Sequence, residues 1–218
     1  MATFIVKDKW SAITHFIGFV FSIVATPFIV SKAAYDGASY IATIAISVFM
    51  LSMTILYGAS TSYHAFNITN KGNGILKRID HCSIFILIAG SYTPVCLIGL
   101  HNKVGNILLL VVWILAIIGV ILKIFFVFCP KWVSSVMYLA LGWAVIFTIK
   151  DIYLAFTPVQ FFWLVAGGFF YTVGGVLYSF KPKIFKKEEI TGFGNHELFH
   201  VFVMLGTLCH YLLCLNLI

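Results

Sequence analysis

Charge is what this sequence has least of. Asp, Glu, Lys and Arg make up 10% of its 218 residues, against about 25% in a soluble globular domain. That shortage excludes a water-soluble fold and points to an integral membrane protein. Disulfide signals are also missing. The five cysteines are odd in number, no CxxC occurs, and Cys82, Cys96, Cys209 and Cys214 fall inside apolar segments, so they read as reduced packing residues. No repeat or low-complexity tract stands out, and no linker is long enough to separate two domains, so residues 1–218 form a single domain. A cleavable signal is not expected, because the first apolar run, from about 11 to 33, is too long for an h-region.

The apolar blocks are what the sequence has in abundance. A helix needs about 20 apolar residues to cross a bilayer, and seven such runs are predicted, at about 11–33, 40–64, 80–100, 104–128, 133–149, 160–180 and 196–217. The fold class expected is therefore an all-α bundle of seven transmembrane helices. Asp36-Gly37, a loop over 67–74, Cys129-Pro130, a turn punctuated by Lys150-Asp151 and Pro158, and a basic loop from Lys181 to Gly194 separate the blocks. Trp10, Trp132 and Trp163 read as interfacial belt residues. Gly167-Gly168 and Gly174-Gly175, seven residues apart, read as a small-residue face for close helix packing.

The formal charge of +7 is spread between the apolar blocks rather than gathered in a patch. Headgroups and the positive-inside rule explain it, and no nucleic-acid partner is expected. Lys7, Lys9, Lys71, Lys77, Arg78, Lys123, Lys131, Lys181, Lys183, Lys186 and Lys187 fall on the N-terminal side, with Lys123 expected to snorkel there. Lys32, Lys103 and Lys150 fall on the other side. The bias predicts an N-terminus in the cytoplasm and a C-terminus outside.

That topology brings three polar groups to one level. His196 and His200 stand at i and i+4 on one helical face, close enough to hold one metal ion. Two histidines do not close a metal site, since a catalytic zinc takes three protein ligands and keeps an open position. At the predicted end of span two, Ser60 and His64 form another i, i+4 pair, and Asp80 opens span three. All three constellations converge on the cytoplasmic leaflet.

Together these residues resemble the signature of the hemolysin III family. The likeness rests on Ser60-x-x-x-His64, on Lys77-Arg78-Ile79-Asp80-His81 running on to Ala89-Gly90-Ser91-Tyr92-Thr93-Pro94, and on His196-x-x-x-His200. Ile13-Thr14-His15 before Gly18 resembles the start of the family's first helix. The family is grouped with progestin and adipoQ receptors and, more distantly, with alkaline ceramidases. The resemblance implies seven helices with zinc near the cytoplasmic side. It places the ligands on His64, His196 and His200, with Asp80 holding a zinc-bound water and Ser60 beside it.

The expected activity is hydrolysis of an amide or ester in a membrane lipid through zinc-bound hydroxide, at the plasma (inner) membrane. Asp80 would act as general base, and Ser60 would orient a ring or an oxyanion. The alternatives are a receptor-like or homeostasis protein with structural zinc, and a cytolysin. His196-Glu197-Leu198-Phe199-His200 also matches the H-E-x-x-H pattern of zinc metalloproteases. Where the extended pattern wants Gly and then His, however, Val203 and Gly206 stand, so Glu197 is given no role. His15 is read as either second to the site or packing, His81 as turned away from Asp80, His101 as a loop residue and His210 as a satisfied core histidine.

Overall fold

The computed structural model describes residues 6–180 and 193–218; residues 1–5 and most of the basic loop, with Lys181, Lys183, Lys186 and Lys187, lie outside the described residues. Among the described residues seven helices are long and apolar enough to cross a membrane: Lys9–Tyr35, Tyr40–Ala65, Asn70–Leu100, Lys103–Phe126, Lys131–Ala155, Pro158–Phe180 and Asn195–Leu217, here spans one to seven. No strand occurs among them. The protein is an all-α, seven-helix membrane bundle.

Polar side chains start three of the spans. Ser39, Thr69 and Asn102 each accept from a backbone N–H three residues on, at 3.2, 3.0 and 2.9 Å, which satisfies donors that the first helical turn leaves free. Gly37, at φ 73°, makes the turn from span one to span two in a conformation that a Cβ would oppose.

The Thr69 cap overturns one expectation. Helix begins at Asn70 and not at Asp80. Asn and Gly over 67–74 mark a loop by average composition, but the cap lets the helix start among them. Asp80 therefore sits about 15 Å into span three. Span five also runs past its predicted end, as α-helix to Gly142, a 3-10 stretch over Trp143–Thr148, and α-helix again over Ile149–Ala155. Lys150-Asp151 lies inside this last piece. Of the two expected turn signals only Pro158 marks the turn, its fixed φ suiting the first position of a helix.

The main core joins spans one, two, three and seven through residues such as Phe49, Met50, Met53, Tyr57 and Val203. Tyr57 ties it together: a Cβ at Gly18 would lie 2.9 Å from its ring, and its hydroxyl hydrogen-bonds Thr207 of span seven. Spans six and seven pack along much of their length. Gly167 and Gly174 face span seven, with added Cβ atoms falling 2.9 Å from His210 and 3.0 Å from Phe202. Lys123 does not snorkel. It is 1% exposed and hydrogen-bonds Ser134 and Cys129.

Candidate metal centre

His64 lies in the last turn of span two, and His196 and His200 lie in the first turns of span seven. One ring nitrogen from each falls within 4.8 Å of the others, a group that could hold a metal ion. His64 Nε2 and His196 Nε2 are 3.2 Å apart. Two nitrogens bound tetrahedrally to zinc at about 2.0–2.1 Å would be about 3.3 Å apart, so the spacing fits. Outer partners aim two of the rings. His64 Nδ1 is 2.9 Å from Asp8 Oδ2, and His200 Nδ1 is 3.2 Å from the Ser11 carbonyl oxygen. With Nδ1–H donating to oxygen, each ring keeps its Nε2 lone pair for a metal. His196 Nδ1 has no partner among the described residues.

Sequence reasoning missed Asp8. It stands at the N-cap position of span one, yet its side chain makes no cap hydrogen bond. Its carboxylate is given instead to His64. Lys7 and Asp8 lie along the end of span two, with Lys7 N–H donating to Ala65 O at 3.3 Å and Asp8 N–H to His64 O at 2.9 Å. Lys7 Nζ donates to Tyr63 O and sits 3.5 Å over the Tyr63 ring. The hydrogen bond from His64 holds the Asp8 carboxyl below its usual pKa, with help from Lys7 and against the effect of burial. The one local signal was an aspartate at a helix start, which reads as a cap. Asp8→Ala is expected to weaken metal affinity roughly 10- to 100-fold, the usual effect of removing an outer partner of a ligating histidine. A metal-competition titration of the purified protein measures it, and Asp8→Glu should recover part of the loss.

The remaining polar residues divide between the site and its surroundings. Asp80 and Ser60 line one cavity with His196 and His200. Asp80 is not one of the three clustered donors, and the buried Ser60 lies within hydrogen-bonding reach of its carboxyl. His15 stacks on His200 with ring centroids 3.6 Å apart, so it belongs to the wall of the centre. His81 Nδ1 is 3.2 Å from Tyr138 Oη, and His101 is exposed between spans three and four. His210 is buried in the cavity wall beside Tyr171, and neither of its ring nitrogens meets a hydrogen-bond partner among the described residues. Glu197 is structural: it accepts from Gly194 N–H at 2.8 Å and from Ser11 Oγ, which fixes the start of span seven against span one.

The cavity has a volume of about 420 Å³. From the imidazoles it runs through apolar side chains of spans three, five and six to Trp143 and Phe169, which are 51% and 60% exposed on the outer face of the bundle. The family model described as haemolysin-III related matches residues 4–211. The chain belongs to this family. Among hemolysin III relatives, it is 37% identical to the hemolysin-3 homolog of Bacillus subtilis, over 94% of this chain and 91% of that one. It is 36% identical to hemolysin-3 of Bacillus cereus, over 95% and 90%. A more distant likeness, 22% identity over 91% of this chain and 48% of the other, is to an adiponectin receptor protein of Drosophila melanogaster.

Proposed function

We propose that this hemolysin III protein is a zinc-dependent hydrolase acting on an amide or ester bond of a membrane lipid. The observation that carries the reading is the junction of three imidazoles, a buried carboxyl and a long apolar cavity. A cavity of about 420 Å³ is of the size that encloses small amphiphiles, roughly 300–1,000 Å³. Its exposed rim at Trp143 and Phe169 gives an acyl chain a way in from the bilayer.

Zinc held there would polarise a carbonyl and acidify a water. Three histidine ligands leave one position of a tetrahedral ion free for that purpose. The residues of the chain do the rest. Asp80, in the cavity wall and outside the ligand set, takes the proton from the attacking water and passes it to the leaving group. Ser60, beside Asp80 in the cavity wall, donates to the oxygen that gains charge as the carbonyl is attacked. Asp8 and the Ser11 carbonyl hold His64 and His200 in place, and His15 closes one side against water. The positive-inside bias of the sequence supports a site at the cytoplasmic leaflet, and we assign the protein to the plasma membrane. Purified protein loaded with zinc in lipid should release fatty acid from a ceramide-like or other acyl lipid. A broad lipid panel with no turnover would leave the zinc structural and the protein a membrane-homeostasis or receptor-like factor.

A further inference from the structure

Among the described residues, a buried ammonium without an ion-pair partner lies where span four meets span five. Lys123 is 1% exposed, and the ion pairs among the described residues do not include it. Its Nζ donates to Ser134 Oγ and lies 3.2 Å from Cys129 Sγ. Cys129 Sγ and Ser134 Oγ are 3.5 Å apart, which closes a triangle. The Tyr138 ring stands 5.7 Å from Nζ.

An ammonium inside a helix bundle is expensive unless an opposite charge meets it. Of its three neighbours the thiol ionises most easily, at about 8.5 when free, against about 10 for a tyrosine. A serine hydroxyl does not ionise near neutral pH. Cys129 is also the one cysteine outside the seven spans, partly exposed in the turn before span five, whereas Cys96, Cys209 and Cys214 are buried.

We infer that Cys129 and Lys123 form a thiolate–ammonium pair, and that Cys129 is a modification site for soft electrophiles. The metal centre plays no part in this. Burial raises the Cys129 pKa, but the Ser134 hydrogen bond and the Lys123 contact outweigh it and leave the thiol below its usual value. Lys77 of span three, Tyr138 of span five and Tyr178 of span six also lie within electrostatic reach. None of the three is an anion at neutral pH, so none opposes the thiolate. In the modification the sulfur lone pair attacks an alkyl carbon. A C–S bond forms as the carbon–halogen bond breaks, the halide leaves, and Lys123 keeps its proton.

The test is alkylation of the full-length protein in lipid nanodiscs by iodoacetamide from about pH 5.5 to 9, with each cysteine followed by peptide mass mapping. Cys129 should react first, with a half-maximal rate below the free-thiol value of about 8.5. Lys123→Met should return the midpoint to that value or above it and slow the reaction at pH 7. Lys123→Arg should keep the low midpoint. A wild-type midpoint at or above the free-thiol value would overturn the inference without reference to any variant. So would alkylation of Lys123 in preference to Cys129 near neutral pH, since the pair would then be a neutral amine and thiol.

Discussion

Removing any one of the three imidazoles is expected to strip the metal and much of the stability together. His64→Ala, His196→Ala and His200→Ala should each lower zinc from about one per chain, the content of a three-histidine site, to a small fraction of that. The three rings come from helices that are far apart in sequence, and the unfolded chain holds no such site, so binding free energy is also folding free energy. A ligand present at 1,000 times its Kd stabilises by about 4 kcal/mol, and that is the scale of the loss expected. His200→Ala should be the most damaging, because it also removes the contact with the Ser11 carbonyl and the stack on His15. His210→Ala is the control: it lies on the same helix and is also buried, but it should keep its metal. Elemental analysis beside a thermal unfolding scan reads both effects, and full occupancy in His64→Ala would remove that residue from the ligand set.

Asp80→Asn should separate chemistry from folding. Asparagine matches the size and polarity of the protonated acid but does not take a proton, so lipid hydrolysis should fall by the 10²- to 10⁴-fold typical of losing a general base. Zinc content should stay near the wild-type level, because Asp80 lies outside the cluster of three nitrogen donors. The readouts are release of fatty acid from an acyl lipid and metal analysis of the same preparation. Equal turnover by the two proteins would take the role of base away from Asp80. Loss of zinc together with turnover would make it a ligand.

The seven spans were legible because bilayer thickness demands long apolar runs, and this chain supplies seven. The pairing of His196 with His200 was legible because i, i+4 spacing on a helix survives any tertiary arrangement, while His64, which the fold brings beside them, was named through the family resemblance. Features decided by contacts between distant segments were not. Asp8 reads locally as a cap, and only the fold shows that its partner is His64, 56 residues away. The early start of span three turned on one Thr69 hydrogen bond that average composition does not register. Lys123 resembles any lysine near a helix end, and its burial depends on Ser134 and Cys129 closing over it from the next turn. His210 reads as an ordinary core residue, because sequence gives no sign that it lines the same cavity as the metal centre.

X-ray absorption at the zinc edge on the purified protein tests the central claim most directly. The account predicts about three imidazole nitrogens near 2.0–2.1 Å and one further light atom, with a nitrogen lost from the shell in any of the three single-histidine variants that still holds metal. A sulfur scatterer near about 2.3 Å, or a protein that stays free of zinc after reconstitution, would contradict it.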